Sequence, residues 1–93
     1  MGNLDGKIAL VTGASAGIGE QTTRILVDAG TRVICAARRL PRLESLVAEL
    51  GDTAIALELD VTNEASVATL LERLPAGWRD IDILVNNAGH DIG

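Results

Sequence analysis

The sequence predicts an α/β fold: an open parallel sheet of about four strands, in the order 3-2-1-4, with helices on both faces. Two observations predict it. Short aliphatic runs recur along the 93 residues, and the stretches between them repeat their apolar residues every three or four positions. Alternating strand and helix signals imply parallel strands joined by right-handed crossovers. The order follows if the direction of travel reverses after the third strand. The first two helices then cover one face and the third covers the other.

The elements read as follows. Ile8, Ala9, Leu10 and Val11 form the first run, ended by Gly13. Its length and branched residues suit a strand buried on both faces. Ile18, Thr22, Ile25, Leu26 and Ala29 share one side of a helix, and Gly30 stops it. Arg32 to Ala36 is the second strand. Pro41 suits the first turn of a second helix, where its missing N–H costs nothing. Leu43, Leu46, Val47 and Leu50 are its inner stripe, and Gly51 ends it. Ala54 to Leu59 reads as the third strand. Thr62 or Asn63 caps a third helix, with Glu64 favourable at its positive end. Val67, Leu70, Leu71 and Leu74 are its inner stripe, closed by Pro75. Ile81 to Val85 is the fourth strand.

Composition narrows the function. Apolar residues make up 47% and charged residues 23%, ordinary values for a globular domain. With one Trp, no Phe and no Tyr, the core must be aliphatic. A net charge of −5 makes nucleic acid and membrane surfaces poor partners. No stretch approaches the roughly 20 apolar residues of a membrane span. Cys35 stands alone in an apolar run, so it is expected to be a small buried hydrophobe in a reducing cytoplasmic setting. No set of metal ligands is evident, and none is expected. Asp5 and Asp82 read as solvated charges flanking strands, Trp78 as the cover of a helix-to-strand corner, and His90 as a surface or rim residue.

The candidate chemistry begins at Thr12-Gly13-Ala14-Ser15-Ala16-Gly17-Ile18-Gly19, between the first strand and its helix. Glycines let the backbone turn tightly and approach a pyrophosphate. A helix start adds unpaired N–H groups and a positive dipole end, and Ser15 adds a hydroxyl donor. The spacing is G-x-x-x-G-x-G, and no Lys-Ser/Thr pair follows, so this is not a P-loop. The second strand ends in Ala36-Ala37-Arg38-Arg39, where dinucleotide folds often carry an acidic residue for the ribose 2′-hydroxyl. Without that carboxylate nothing repels a 2′-phosphate. Arg38 can fork to its oxygens, and Arg39 can add charge or stack on adenine.

The glycine pattern resembles the short-chain dehydrogenase/reductase family, as do Asp60-Val61-Thr62 and Asn86-Asn87-Ala88-Gly89 after Ile-Asp-Ile-Leu-Val. The resemblance implies a partial Rossmann fold in which residues 13–19 hold a cofactor pyrophosphate. It implies an adenine contact by the Asp60 carboxylate beside the Val61 N–H. It places Asn86 and Asn87 near the nicotinamide-side ribose, with Asn86-Asn87-Ala88-Gly89 tying the central strands together. Ala37 stands where NAD-preferring members carry Asp, so NADP(H) is the expected cofactor. Ala16 stands where members often have a second basic residue, which leaves selectivity to Arg38 and Arg39. Residues 12–19, 36–46 and 74–89 look like the NADP-dependent 3-hydroxy acid and serine dehydrogenases.

The family's hydride chemistry needs a Tyr, a Lys four positions later and a Ser. This sequence has no Tyr, and its one Lys is Lys7. The reading is therefore a single NADP(H)-binding half-domain over residues 1–93, truncated relative to the family and inactive alone. It would belong to an oxidoreductase acting on a hydroxy or carbonyl substrate, a 3-hydroxy acid by resemblance. A free-standing or engineered nucleotide-binding half-domain is the alternative, and an interaction protein that keeps the fold is a third. An uncovered sheet edge and face predict self-association.

Overall fold

A computed structural model describes residues 4–15 and 17–87. The elements are β1 (Ile8–Thr12), α1 (Gly17–Asp28), β2 (Arg32–Ala37), α2 (Leu40–Leu50), β3 (Ala54–Glu58), α3 (Glu64–Ala68), α4 (Leu70–Arg73) and β4 (Ile83–Asn86). The four strands form one sheet in the order β3-β2-β1-β4, and each neighbouring pair is parallel. This is the predicted fold class and order.

Alternation along the strands divides the core in two. Ile8, Leu10, Ile34, Ala36 and Leu57 point to one face, where Leu74 and Trp78 cover them. Val11, Val33, Cys35 and Ala54 point to the other, beneath Leu43 and Leu46 of α2 and Leu26 and Val27 of α1. Trp78 closes its corner with the Arg32 guanidinium 4.1 Å from the ring centroid.

Three local expectations are corrected. The inner side of α1 is only partly the expected stripe: Leu26 packs on the core, but Ile18 and Ile25 are 72% and 68% exposed, whereas Gly19 and Thr23 are buried. A Cβ on Gly19 would collide with the Gly13 carbonyl oxygen. The helix must therefore turn this residue inward, and that contact sets its phase against the apolar periodicity. The third helix is two short pieces. Thr69 sits between them, and its hydroxyl donates to the Ala65 carbonyl at 2.8 Å, beside its own N–H at 3.1 Å. Such back-bonding competes with the helical ladder. Arg73 binds across the break, donating to Ser66 O at 2.9 Å and Glu58 O at 2.6 Å. Leu70 and Leu74 pack inward, but Val67 and Leu71 are exposed. Of the two expected caps it is Asn63 that caps α3, accepting from the Ala65 and Ser66 N–H groups.

The fourth strand begins at Ile83 because Asp82 is used as a clamp. Its carboxylate accepts from the Ile8 N–H at 3.0 Å, and its own N–H donates to the Ile8 carbonyl at 2.8 Å. Asp82 is thus no mere solvated flank. Beyond it β4 is an edge of the described sheet, and Leu84 is 64% exposed.

Cys35 is fully buried, as expected, and burial pushes its thiol up to about 11, with the Thr23 hydroxyl opposing weakly. The folded state therefore keeps this proton in a range where the unfolded chain, titrating near 9.0, releases it. This contribution to stability is complete below the unfolded value and is lost as pH rises from about 9 to about 11. Cys35→Ala is expected to remove that alkaline slope from denaturant midpoints measured across the range. An unchanged slope would show that other groups cause it. A thiol reagent should modify Cys35 only as fast as the domain opens.

Candidate functional site

The carboxyl ends of the four parallel strands open on one side of the sheet, and a cleft of about 650 Å³ lies there. Open α/β sheets bind ligands at this end, where the strand order reverses. Here the reversal is between β1 and β4, which lie side by side although β2 and β3 intervene in sequence.

The floor of the cleft is the turn from β1 into α1. Gly13 and Gly17 adopt φ of 65° and 55°, in the left-handed region that favours glycine. Ala14 is buried and its N–H donates to the Ala36 carbonyl at 3.2 Å, holding the turn down on β2. The Thr23 hydroxyl donates to the Gly19 carbonyl at 2.9 Å from within the core. Gly13, Ser15, Gly17, Ile18 and Gly19 all line the cleft. Ala16 lies outside the described residues.

One wall rises from the end of β2. Ala37, Arg38, Arg39 and Arg42 line it, and the three arginine side chains make no hydrogen bond or ion pair among the described residues. Leu59, Asp60, Val61 and Thr62 form the next wall, after β3. Asp60 is not the cap of α3. Its Oδ1 instead accepts from the Thr62 N–H at 2.9 Å and the Thr62 hydroxyl at 2.6 Å. The Thr62 hydroxyl, followed by the Thr62 N–H, holds the Asp60 carboxyl below the usual range, and the charge of Arg38 acts the same way. The group therefore stays an acceptor at neutral pH, with Oδ2 left for a ligand donor.

The β4 end supplies Asn87, which lines the cleft and whose Nδ2 is buried without a hydrogen-bond partner among the described residues. Asn86 does not line it. Its Oδ1 accepts from the Thr12 hydroxyl at 2.9 Å, while the Asn87 N–H donates to Thr12 Oγ1 at 3.0 Å. The Asn pair is thereby tied to the start of the glycine turn. Ala88, Gly89 and His90 lie outside the described residues.

Sequence reasoning did not assign site roles to Thr12, Arg42, Leu59 and Thr62. A hydroxyl closing a buried aliphatic strand was a usable signal for Thr12. For Arg42 the signal was its place four residues beyond Arg38.

A glycine turn between strand and helix, beneath basic and acidic walls at the switch point of a parallel sheet, defines an open α/β domain whose cleft lies where such folds take their ligands. The chain belongs to the short chain dehydrogenase family, whose sequence profile matches residues 7–93. It is 51% identical over 86 residues to the NADP-dependent 3-hydroxy acid dehydrogenase YdfG of Escherichia coli (strain K12), covering 92% of this chain and 35% of that protein. Serine 3-dehydrogenase of Agrobacterium fabrum is 49% identical over 84 residues, covering 90% of this chain and 34% of that one. A solved structure of the closed form of serine dehydrogenase complexed with NADP+ superposes with a TM-score of 0.82 at 51% identity, covering 86% of this chain and 32% of that chain. The chain thus spans about a third of the length of these relatives. Among the described residues no helix is long and apolar enough to cross a membrane, and no cluster of three or more His, Cys, Asp or Glu is placed to hold a metal ion.

Proposed function

We propose that the chain binds NADP(H) through its adenosine and pyrophosphate portions, as the cofactor-binding part of an oxidoreductase acting on a hydroxy or carbonyl substrate. The observation that carries this reading is the β2 wall: three arginines with no ion pair among the described residues, and no carboxylate at the end of β2, in the same cleft as the glycine turn. Gly13, Ser15, Gly17, Ile18 and Gly19, with Ala16 between them, would hold the pyrophosphate against the start of α1. Arg38 would fork to the 2′-phosphate, with Arg39 adding charge or stacking on adenine. Asp60 and the Val61 N–H would take the adenine edge. Asn86, Asn87, Ala88 and Gly89 would border the nicotinamide-side ribose, and Asn87 Nδ2, buried without a partner among the described residues, supports that role. When bound, the cofactor supplies a hydride.

The names of the relatives support a 3-hydroxy acid as the substrate class. The 93 residues contain no Tyr, so they offer no Tyr hydroxyl as proton donor to a carbonyl oxygen, and the chain alone is expected to be inactive. The buried, unpaired Cys35 is consistent with a cytoplasmic setting. The test is titration of the 93-residue chain with NADPH and NADH, followed by an assay on 3-oxo acids. Preference for NADPH without turnover is the expected result. Equal affinity for both cofactors would defeat the NADP(H) reading, and turnover would defeat the proposed inactivity.

Self-association belongs to the same reading of the isolated chain. The β4 edge and the exposed Leu84 beside it support it. Light scattering across a concentration series should show mass above the monomer, and Leu84→Lys should lower it. A monomer at every concentration would exclude this.

A further inference from the structure

We propose that Arg42 is a third cation of the 2′-phosphate subsite and a determinant of cofactor choice; this rests on the NADP(H) reading above. Arg42 lines the proposed nucleotide cleft, but it also lines a second hollow of about 520 Å³, bordered by Leu40, Pro41 and Glu58. Among the described residues, Arg38 and Arg39 are the only others shared by the two hollows. Three arginines thus border both hollows. The second hollow also has Glu58 in its lining, a carboxylate that disfavours an anion entering from that side. A phosphate on these arginines is best approached from the proposed nucleotide cleft.

The charge arithmetic calls for more than one arginine. A phosphate monoester carries about −1.5 to −2 charges at neutral pH and presents three acceptor oxygens. One guanidinium fork satisfies two of them. Arg39 has the competing option of lying on adenine, which leaves an oxygen and part of the charge unmatched. Arg42 stands four residues beyond Arg38, with its side chain unpaired among the described residues and in the same lining.

Its position is also poor for stability alone. Arg42 lies in the first turn of α2, which has no acidic residue there and no side-chain cap. A cation at that end opposes the helix dipole. A residue retained only as a solvated face would stabilise the helix better as Glu or Gln. Local frustration of this kind is the mark of a group held for a ligand.

The experiment uses the 93-residue chain with two probes, adenosine 2′,5′-bisphosphate and 5′-AMP, which differ only in the 2′-phosphate. Affinities are measured by calorimetry for the unmutated chain, Arg42→Ala, Arg42→Lys and Arg38→Ala, with thermal melts in the absence of nucleotide. Arg42→Ala is expected to weaken the bisphosphate about tenfold, the loss of a charge-assisted bond at the exposed end of the range, and to leave 5′-AMP within about twofold. Arg42→Lys should recover part of the loss, because charge remains while the fork is gone. The ligand-free melting temperature should hold or rise in Arg42→Ala. Unchanged bisphosphate affinity in Arg42→Ala, with loss in Arg38→Ala, would overturn the role of Arg42 and leave the NADP(H) reading intact. Equal weakening of both probes, or a fall in the ligand-free melting temperature, would assign Arg42 a structural role instead. An unmutated chain that does not distinguish the probes would overturn the NADP(H) reading itself.

Discussion

Gly19→Ala is expected to destabilise the domain by about 2–4 kcal/mol and to abolish nucleotide binding. The cause is a collision between the new methyl group and backbone. The Cβ would meet the Gly13 carbonyl oxygen and carbon and the Ala14 Cα, none of which can swing aside as a side chain would. Gly13 is already in the left-handed region, and Ala14 is fixed to β2 by its bond to Ala36. Relief must come from lifting α1, which pulls Thr23, Leu26 and Val27 away from the sheet. It also displaces the N–H groups that would face the pyrophosphate. Gly17 makes a useful contrast. A Cβ there meets nothing within 4 Å, so Gly17→Ala bears only the cost of a left-handed residue, about 1–2 kcal/mol. Urea unfolding and NADPH titration of both variants provide the check. A Gly19→Ala protein with unchanged midpoint and affinity would show that α1 does not need this close approach.

Arg38→Ala is expected to remove most of the preference for NADPH, about 1.5–3 kcal/mol, or roughly tenfold to a hundredfold in affinity, with NADH little changed. Arg38 is the arginine whose charge reaches Asp60, so in the proposed binding mode it would stand between the 2′-phosphate and the adenine. It is exposed and makes no ion pair among the described residues, so its loss leaves no buried charge behind. A stability change beyond about 0.5 kcal/mol is not expected at such a surface position. This separates the binding effect from a folding effect. Parallel titrations with the two cofactors decide it. A variant that keeps the full NADPH preference would transfer the discrimination to Arg39 and Arg42.

Strand positions were legible because each needs only a short aliphatic run bounded by breakers. Ile8, Ala9, Leu10 and Val11 are all buried, as are Val33, Ile34, Cys35 and Ala36. The sheet order was legible because crossover handedness leaves few alternatives once the strands are parallel. The glycine turn and the Arg38–Arg39 pair were readable as chemistry because residue type and spacing along one stretch of chain define them. The phase of α1 was not, since the apolar period pointed to Ile18 and Ile25. The helix obeys a contact between Gly19 and Gly13 that periodicity does not register. The break at Thr69 likewise came from a hydroxyl competing for one carbonyl and from Arg73 reaching back to β3.

By itself the sequence determined the element types, the parallel sheet, the glycine-rich turn after the first strand and the absence of Tyr, because each is a local pattern or a composition. The tertiary structure alone decided the rest. It joined Thr12 to Asn86 and Asn87, and Asp82 to Ile8, across more than seventy residues of chain. It also left Asn87 Nδ2 buried without a partner among the described residues, at the edge of the cleft. The physical reason is that hydrogen bonds and charges act over a few ångströms of space. Which groups fall within that reach is set by how the helices fold back across the sheet, and separation along the chain carries no record of it.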